Sequence, residues 1–359
     1  MEKNLNRRNF LLSSVVSIAS TSVYAQMSHH GDSYERLNQA GLIPRPPLAD
    51  TQAVFDSPAP KAINPGKWIT RASLPLPRSE MAWATEMNGR MHLIGGYGEQ
   101  RVDRSYHHIY DPQKDIWIVA KPLPSGANHV GVVTIDKKVY AIGGYIEQNR
   151  KPRVDCYVYS ESLDKWERIA PMPSAAGSVA CVSLNNKLHA IGGAVGDTTD
   201  TKKSIGTHLV YDPIADGWEK RAPMHTPRDH VGAVSHQGLI HVIGGRVDSF
   251  HTNSNLHHVY IAQSDRWEAR NPLPTARSGH GAVILDNKIF VMGGEGTNRV
   301  FGQNEAYDIS KDSWEQYAPM PTPRHGLGAV ALGRSIYVAG GGAVMGGGIQ
   351  TSINEAFTL

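Results

Sequence analysis

Six short runs of small residues, such as Val231-Gly232-Ala233-Val234 and Gly281-Ala282-Val283-Ile284, bring one position of the chain into register. That position reads Glu80, His129, Ser178, His230, Gly279 and Gly326. Imidazole titrates near neutral pH, so His129 and His230, together with Glu80, are candidates for general acid–base chemistry or metal ligation. The chain holds 17 His, so two in one column is a weak coincidence, and no metal centre and no cofactor is assigned. Two positions earlier the column reads Arg78, Ala127, Ala176, Arg228, Arg277 and Arg324. His107-His108 and His257-His258 recur at equivalent strand positions, which reads as packing. Cys156 and Cys181 fall inside strand patterns and read as buried free thiols, with a disulfide as the alternative.

The elements that must carry these columns repeat. Diglycines begin at Gly95, Gly143, Gly192, Gly244, Gly293 and Gly340, 47 to 52 residues apart. Trp68, Trp117, Trp166, Trp218, Trp267 and Trp314 recur with them. Tyr110, Tyr159, Tyr211, Tyr260 and Tyr307 each stand seven residues before a Trp. Each diglycine follows an apolar strand, such as Arg90-Met91-His92-Leu93-Ile94. Tight-turn pairs such as Asn88-Gly89, Asn185-Asn186 and Asp286-Asn287 precede that strand. The small-residue run upstream supplies a further strand, and Tyr-Asp-Pro, as at Tyr110-Asp111-Pro112, ends a third in a turn. Each repeat therefore reads as four antiparallel strands.

A period near 50 with diglycine, Tyr and Trp at fixed offsets resembles the kelch repeat, and the resemblance covers residues 66–359. WD-type repeats are shorter and carry a Trp-Asp pair that is absent here. The resemblance implies an all-β, six-bladed β-propeller. The last repeat has a diglycine but no following Trp, whereas Trp68 precedes any diglycine. The outer strand of the last blade must then come from Lys67-Trp68-Ile69-Thr70, which would close the ring and remove two open sheet edges. Length alone suggests two or three domains; the repeat replaces them with one. Trp83 lies outside the register and reads as a local core residue.

From the second glycine to the next Tyr the spacing varies, so insertions collect in the loop after the diglycine strand. In kelch propellers this loop borders the ligand-facing mouth of the channel. It holds Tyr97, Glu99 and Arg101; Tyr145, Glu147 and Arg150; residues 197–203; Arg246, Asp248 and His251; and Glu295 and Arg299. Gly346-Gly347-Gly348 in the last blade reads as a flexible segment, since no Lys and no helix signal follow it. In kelch domains that take acidic ligands, arginines before the inner strand project toward the mouth. The resemblance thus implies that Arg78, Arg228, Arg277 and Arg324 offer guanidinium forks to a carboxylate or sulfate; the alternative is that they pair between blades.

The implied function is a binding module for a protein segment or an anionic sugar. The alternative is a carbohydrate enzyme similar to the bacterial periplasmic sialate mutarotases, with an epimerase-type reaction. Copper radical oxidases also use such propellers, but they need a Cys cross-linked to a Tyr in a mouth loop, and Cys156 sits in a strand pattern.

The formal charge is +3, and Lys3, Arg7 and Arg8 against Glu2 account for most of it. The rest of the chain carries no basic field of the kind that binds nucleic acid. Arg7-Arg8-Asn9-Phe10-Leu11 resembles a twin-arginine export core, and Leu11 to Val23 follows as a weakly apolar stretch. Residues 1–25 are expected to form a signal cleaved after Ala25, which places the mature chain in the periplasm. No later stretch is long and apolar enough to cross a bilayer. Residues 26–65, with Pro44, Pro46, Pro47, Pro58, Pro60 and Pro65, read as an extended arm. His29-His30 with Asp32 could ligate a metal there; a mobile polar tail is the simpler reading.

Overall fold

A computed structural model describes residues 50–81, 83–197 and 201–359. The expected signal, its cleavage point and the arm up to residue 49 lie outside the described residues. Six four-stranded antiparallel sheets follow one another along the chain, and no α-helix occurs among the described residues. Blade 1 runs from the inner strand Ala84–Met87 through Arg90–Ile94 and His107–Asp111 to the outer strand Ile116–Ala120. Blades 2 to 5 repeat this order with inner strands Gly131–Ile135, Ala180–Leu184, Gly232–His236 and Gly281–Leu285. Blade 6 has Gly328–Leu332, Ser335–Ala339 and Asn354–Thr358, and its fourth strand is Lys67–Thr70.

Local chemistry explains the blade. The second strand is apolar along its length because a neighbouring blade covers each of its faces; Met91, His92, Leu93 and Ile94 are all buried. Both central turn residues have positive φ at Asn88-Gly89, Asn185-Asn186 and Asp286-Asn287, which is the type I′ geometry that these residues tolerate. The diglycines sit at left-handed φ under close backbone contact. A Cβ on Gly96 would lie 2.6 Å from the Ser79 carbonyl oxygen.

Two hydrogen-bond devices lock blades to their predecessors, the first in all six blades and the second in blades 1 to 5. Each spaced Trp donates its indole N–H, at 2.8–3.0 Å, to a carbonyl just past the previous blade's outer strand: Trp117 to Ala72, Trp166 to Lys121, Trp218 to Ala170, Trp267 to Ala222, Trp314 to Asn271 and Trp68 to Ala318. The sixth bond completes the circuit. Lys67–Thr70 pairs with Asn354–Thr358, and the inner strands of blades 1 and 6 touch, as do all other neighbouring inner strands. The expected N-terminal closure is therefore what the structure shows.

The second device is an aspartate five residues after each Tyr, a spacing the sequence reading did not use. Asp115, Asp164, Asp216, Asp265 and Asp312 accept the Tyr hydroxyl, and the same oxygen accepts a backbone N–H of the preceding blade. The Tyr211 hydroxyl and the Ala170 N–H hold the Asp216 carboxyl below its usual range. Asp216→Ala removes the acceptor of both donors at a solvent-exposed site, so a loss of about 0.5–1.5 kcal/mol is expected in urea unfolding. Because the carboxyl is shifted down, its contribution is present above the unfolded pKa and fades as pH falls through the folded value.

The described part of the arm does not hang free. Gln52–Val54 pairs in parallel with Arg299–Phe301, and Gln316 and Ala318 donate their N–H groups to the carbonyls of Pro60 and Pro65. It thus runs along blade 5. A central channel of about 500 Å³ is lined by the inner strands, including Thr85, Thr134, Ser183 and Ser235. Trp83 is corrected by the structure: it is half-buried in this channel and packs against apolar clusters on two sides of the ring. Cys156 and Cys181 are buried free thiols, as read from their strand patterns.

Candidate functional site

One end of the ring gathers the chemistry. In every blade the residue before the aligned column bridges the residue after the diglycine: Ser79 to Tyr97, Asn128 to Tyr145, Gly177 to Ala194, Asp229 to Arg246, Ser278 to Glu295 and His325 to Gly342. These bridges turn the start of each mouth loop inward. The column itself, Glu80, His129, Ser178, His230, Gly279 and Gly326, takes left-handed φ throughout. Four backbone bonds join it around the axis: the His129 N–H to Glu80 O, Ser178 to His129, Gly279 to His230 and Gly326 to Gly279. Glycine at position 326 makes room, since a Cβ there would meet Glu80 Oε2 at 2.5 Å.

Glu80, His129 and His230, the three acid–base candidates, do converge, and further groups join them. His129 Nε2 lies 3.0 Å from Glu80 Oε2, and His325 Nε2 lies 2.8 Å from Glu80 Oε1 and 3.2 Å from Glu295 Oε2. Arg246 donates to Asp229 Oδ1 at 3.0 Å, to Glu295 Oε1 at 2.9 Å and to His230 Nε2 at 3.0 Å. All these side chains are buried. The segment Val344–Gly348 covers them: Gly346 N–H donates to Glu295 Oε2, and Ser79 Oγ donates to Gly347 O.

The electrostatics follow from burial and pairing. Burial opposes a charge on His325, but the Glu295 and Glu80 carboxylates outweigh it and raise its pKa to about 9. Burial, reinforced by Arg246, lowers His230 to about 4. Burial would raise Glu80, yet His325 and His129 hold it well below the ordinary carboxylate range. Asp229, Asn128 and His325 were missed from sequence. Their signal was the column beside the aligned one, which reads Ser79, Asn128, Gly177, Asp229, Ser278 and His325.

The arginine column does not face the mouth. Arg78, Arg228, Arg277 and Arg324 are fully buried. Arg78 and Arg228 donate to the first diglycine carbonyl of their own blade and to the carbonyls of Tyr106 and Leu256, and they contact His108 and His258. Arg277 and Arg324 also donate to Gly293 O and Gly340 O, and they pair with Glu305 at 2.5 Å and Glu355 at 2.7 Å. The physical reason is that a guanidinium fork satisfies several carbonyls where two strands part around the diglycine. The expected ligand role is therefore corrected to a framework role, within each blade.

The remaining candidates divide. Tyr97, Tyr145 and Arg246 are buried by the bridges described above, not displayed at the mouth; the Tyr145 hydroxyl donates to Ala194 O at 2.7 Å. Arg101 lies half-buried over the Tyr97 ring at 5.2 Å. Arg150 is half-buried, and Lys151 and Arg299 are exposed; none of these three forms an ion pair among the described residues. They are cations of the mouth loops that the fold does not use.

A sequence profile of the KLHDC2/KLHL20/DRC7 Kelch-repeats domain matches residues 178–356, and a Kelch motif profile matches residues 127–173. Curated relatives include Kelch-like protein 24 of Rattus norvegicus, 43% identical over 194 residues, or 53% of this chain and 30% of that protein. Kelch-like protein 40 of Xenopus tropicalis is 26% identical over 215 residues, covering 58% of this chain and 33% of the relative. Kelch-like protein terF of Aspergillus terreus is 29% identical over 198 residues, covering 51% and 43%. The matches thus span less than half the length of these relatives.

Proposed function

This chain belongs to the kelch-repeat family, and on that premise we propose that it is a binding module for a protein segment held through an anionic group. The ligand lies on the loops at the diglycine end of the ring. One observation carries this reading: the fold consumes the periodic arginines, whereas Arg150, Lys151 and Arg299 stand on those loops without carboxylate partners among the described residues. Cations left unpaired at a solvent-facing rim favour a carboxylate-, sulfate- or phosphate-bearing partner. The twin-arginine-like run Arg7-Arg8-Asn9-Phe10-Leu11 supports a periplasmic location for this module.

The test is an array of synthetic peptides and acidic glycans probed with wild type and with Arg150→Ser/Lys151→Ser/Arg299→Ser. Hits enriched in anionic peptides and lost in the triple variant support the reading. Hits without charge preference, or retained in the variant, reject it.

A second reading, a carbohydrate enzyme of the sialate mutarotase type, draws on the convergence of Glu80, His129 and His230. Against it, the cluster is buried under Val344–Gly348 among the described residues. Accelerated anomer exchange of N-acetylneuraminic acid, followed by NMR, would favour this second reading over the first.

A further inference from the structure

The three axial histidines share an orientation. Each has its Nδ1 fixed by an acceptor behind it, so Nε2 points into the cluster. Asn128 donates its amide to Asp103 Oδ1 at 2.6 Å and to Tyr145 O at 3.1 Å, which fixes its oxygen toward His129 Nδ1. His129 therefore carries its proton on Nδ1. Asp229 Oδ1 takes the Nδ1 proton of His230, and Gly342 O takes that of His325 at 3.1 Å. This backing by a carboxylate, an amide and a carbonyl is how proteins orient imidazoles toward a metal ion. By contrast, His92, His189 and His241 engage Nδ1 with Nε2 of His107, His208 and His257, so each of those pairs closes on itself and faces no carboxylate cluster.

Nε2 of His129 and of His325 is aimed at a carboxylate oxygen; without a metal, a proton on His325 Nε2 lies between it and its two carboxylates, and a bound cation would displace that proton. His129 Nε2 faces Glu80 Oε2 at 3.0 Å; His325 Nε2 faces Glu80 Oε1 at 2.8 Å and Glu295 Oε2 at 3.2 Å. Two acceptors at such separations need a proton or a cation between them. Donors at right angles around an ion with bonds of roughly 2.1 Å lie roughly 3.0 Å apart, which the edges at His325 match. Charge points the same way. Glu80, Glu295 and Asp229 are three buried carboxylates against the Arg246 guanidinium and the His325 imidazolium, so the cluster keeps an excess of one negative charge.

We infer that the propeller axis holds a divalent first-row transition-metal ion, bound by Glu80, Glu295 and His325, with His129 on the second oxygen of Glu80. Imidazole and carboxylate without thiolate suit Zn²⁺, Mn²⁺ or Fe²⁺. The donors come from blades 1, 2, 5 and 6, so the ion ties the two ends of the chain's ring together. Its binding also stabilises the fold by linkage. This assignment is independent of the mouth-loop reading.

Wild type stripped with EDTA is titrated with Zn²⁺ by calorimetry and with Co²⁺ by visible absorption, and thermal midpoints are recorded with and without metal. One equivalent bound, a Co²⁺ ligand-field band and a raised midpoint are expected. Glu80→Gln and His325→Gln should each weaken binding at least roughly tenfold, while His251→Ala, on an exposed mouth-loop histidine, should bind like wild type. Should either site variant fail to fold, the wild-type titration decides alone. Folded wild type with no stoichiometric uptake of Zn²⁺ or Co²⁺, or site variants that bind like wild type, would overturn the assignment.

Discussion

Arg324→Ala is expected to lower the unfolding free energy by about 3–5 kcal/mol, the range for leaving one partner of a buried ion pair uncompensated. Arg324 has no exposed surface and Glu355 is 5% exposed. The guanidinium donates to Gly340 O, Thr322 O and Val338 O as well as to Glu355. Removing it leaves a buried carboxylate and three carbonyls short of donors. Arg277→Ala should behave alike, since Arg277 serves Gly293, Thr275, Val291 and Glu305 in the same pattern. Urea unfolding checks both. Variants as stable as wild type would mean that these arginines are free to serve a ligand.

The largest effect is expected from deleting residues 66–72. That removes the pairing with Asn354–Thr358, the Trp68 indole bond to Ala318 O and the Trp68–Phe357 ring contact at 5.3 Å. It also strands Trp117, which donates to Ala72 O, and Asp115, which accepts the Ala72 N–H. Two blades lose their locks at once, and a strand edge opens. The smaller change Trp68→Ala should cost about 3 kcal/mol, the low end for aromatic truncation, because Trp68 is only half-buried. Thermal unfolding with limited proteolysis reads both. A deletion variant that melts cooperatively at the parental temperature would contradict closure through this strand.

The repeat made the fold legible because a propeller spends the same residues six times. Blade number followed from the offset between Trp68 and Gly340-Gly341, and the closing strand followed from that offset. The site was legible only in part. Convergence of Glu80, His129 and His230 followed from their shared column, but the direction of neighbouring side chains did not. Arg78 and Arg324 were misplaced because a periodic cation reads equally well as a ligand or as a strut.

A paired column could have decided it. Two residues before each Tyr, or before Phe357, stand His108, Tyr157, Leu209, His258, Glu305 and Glu355. Arg occurs where that partner is His or Glu, and Ala127 and Ala176 occur where it is Tyr157 or Leu209. The pairing marks an internal contact. Asp229 and His325 escaped notice because their column is otherwise Ser, Asn and Gly, and its inward turn comes from the bridges behind each diglycine.

The most direct test of the binding assignment is a titration of the strongest anionic peptide from the array into wild type and into Arg150→Ser/Lys151→Ser/Arg299→Ser at equal ionic strength. A charge-assisted hydrogen bond contributes about 1.5–3 kcal/mol. The predicted result is an affinity at least roughly tenfold weaker in the variant, with an unchanged melting temperature. Equal affinity in the two proteins would contradict the assignment of the ligand to the mouth loops.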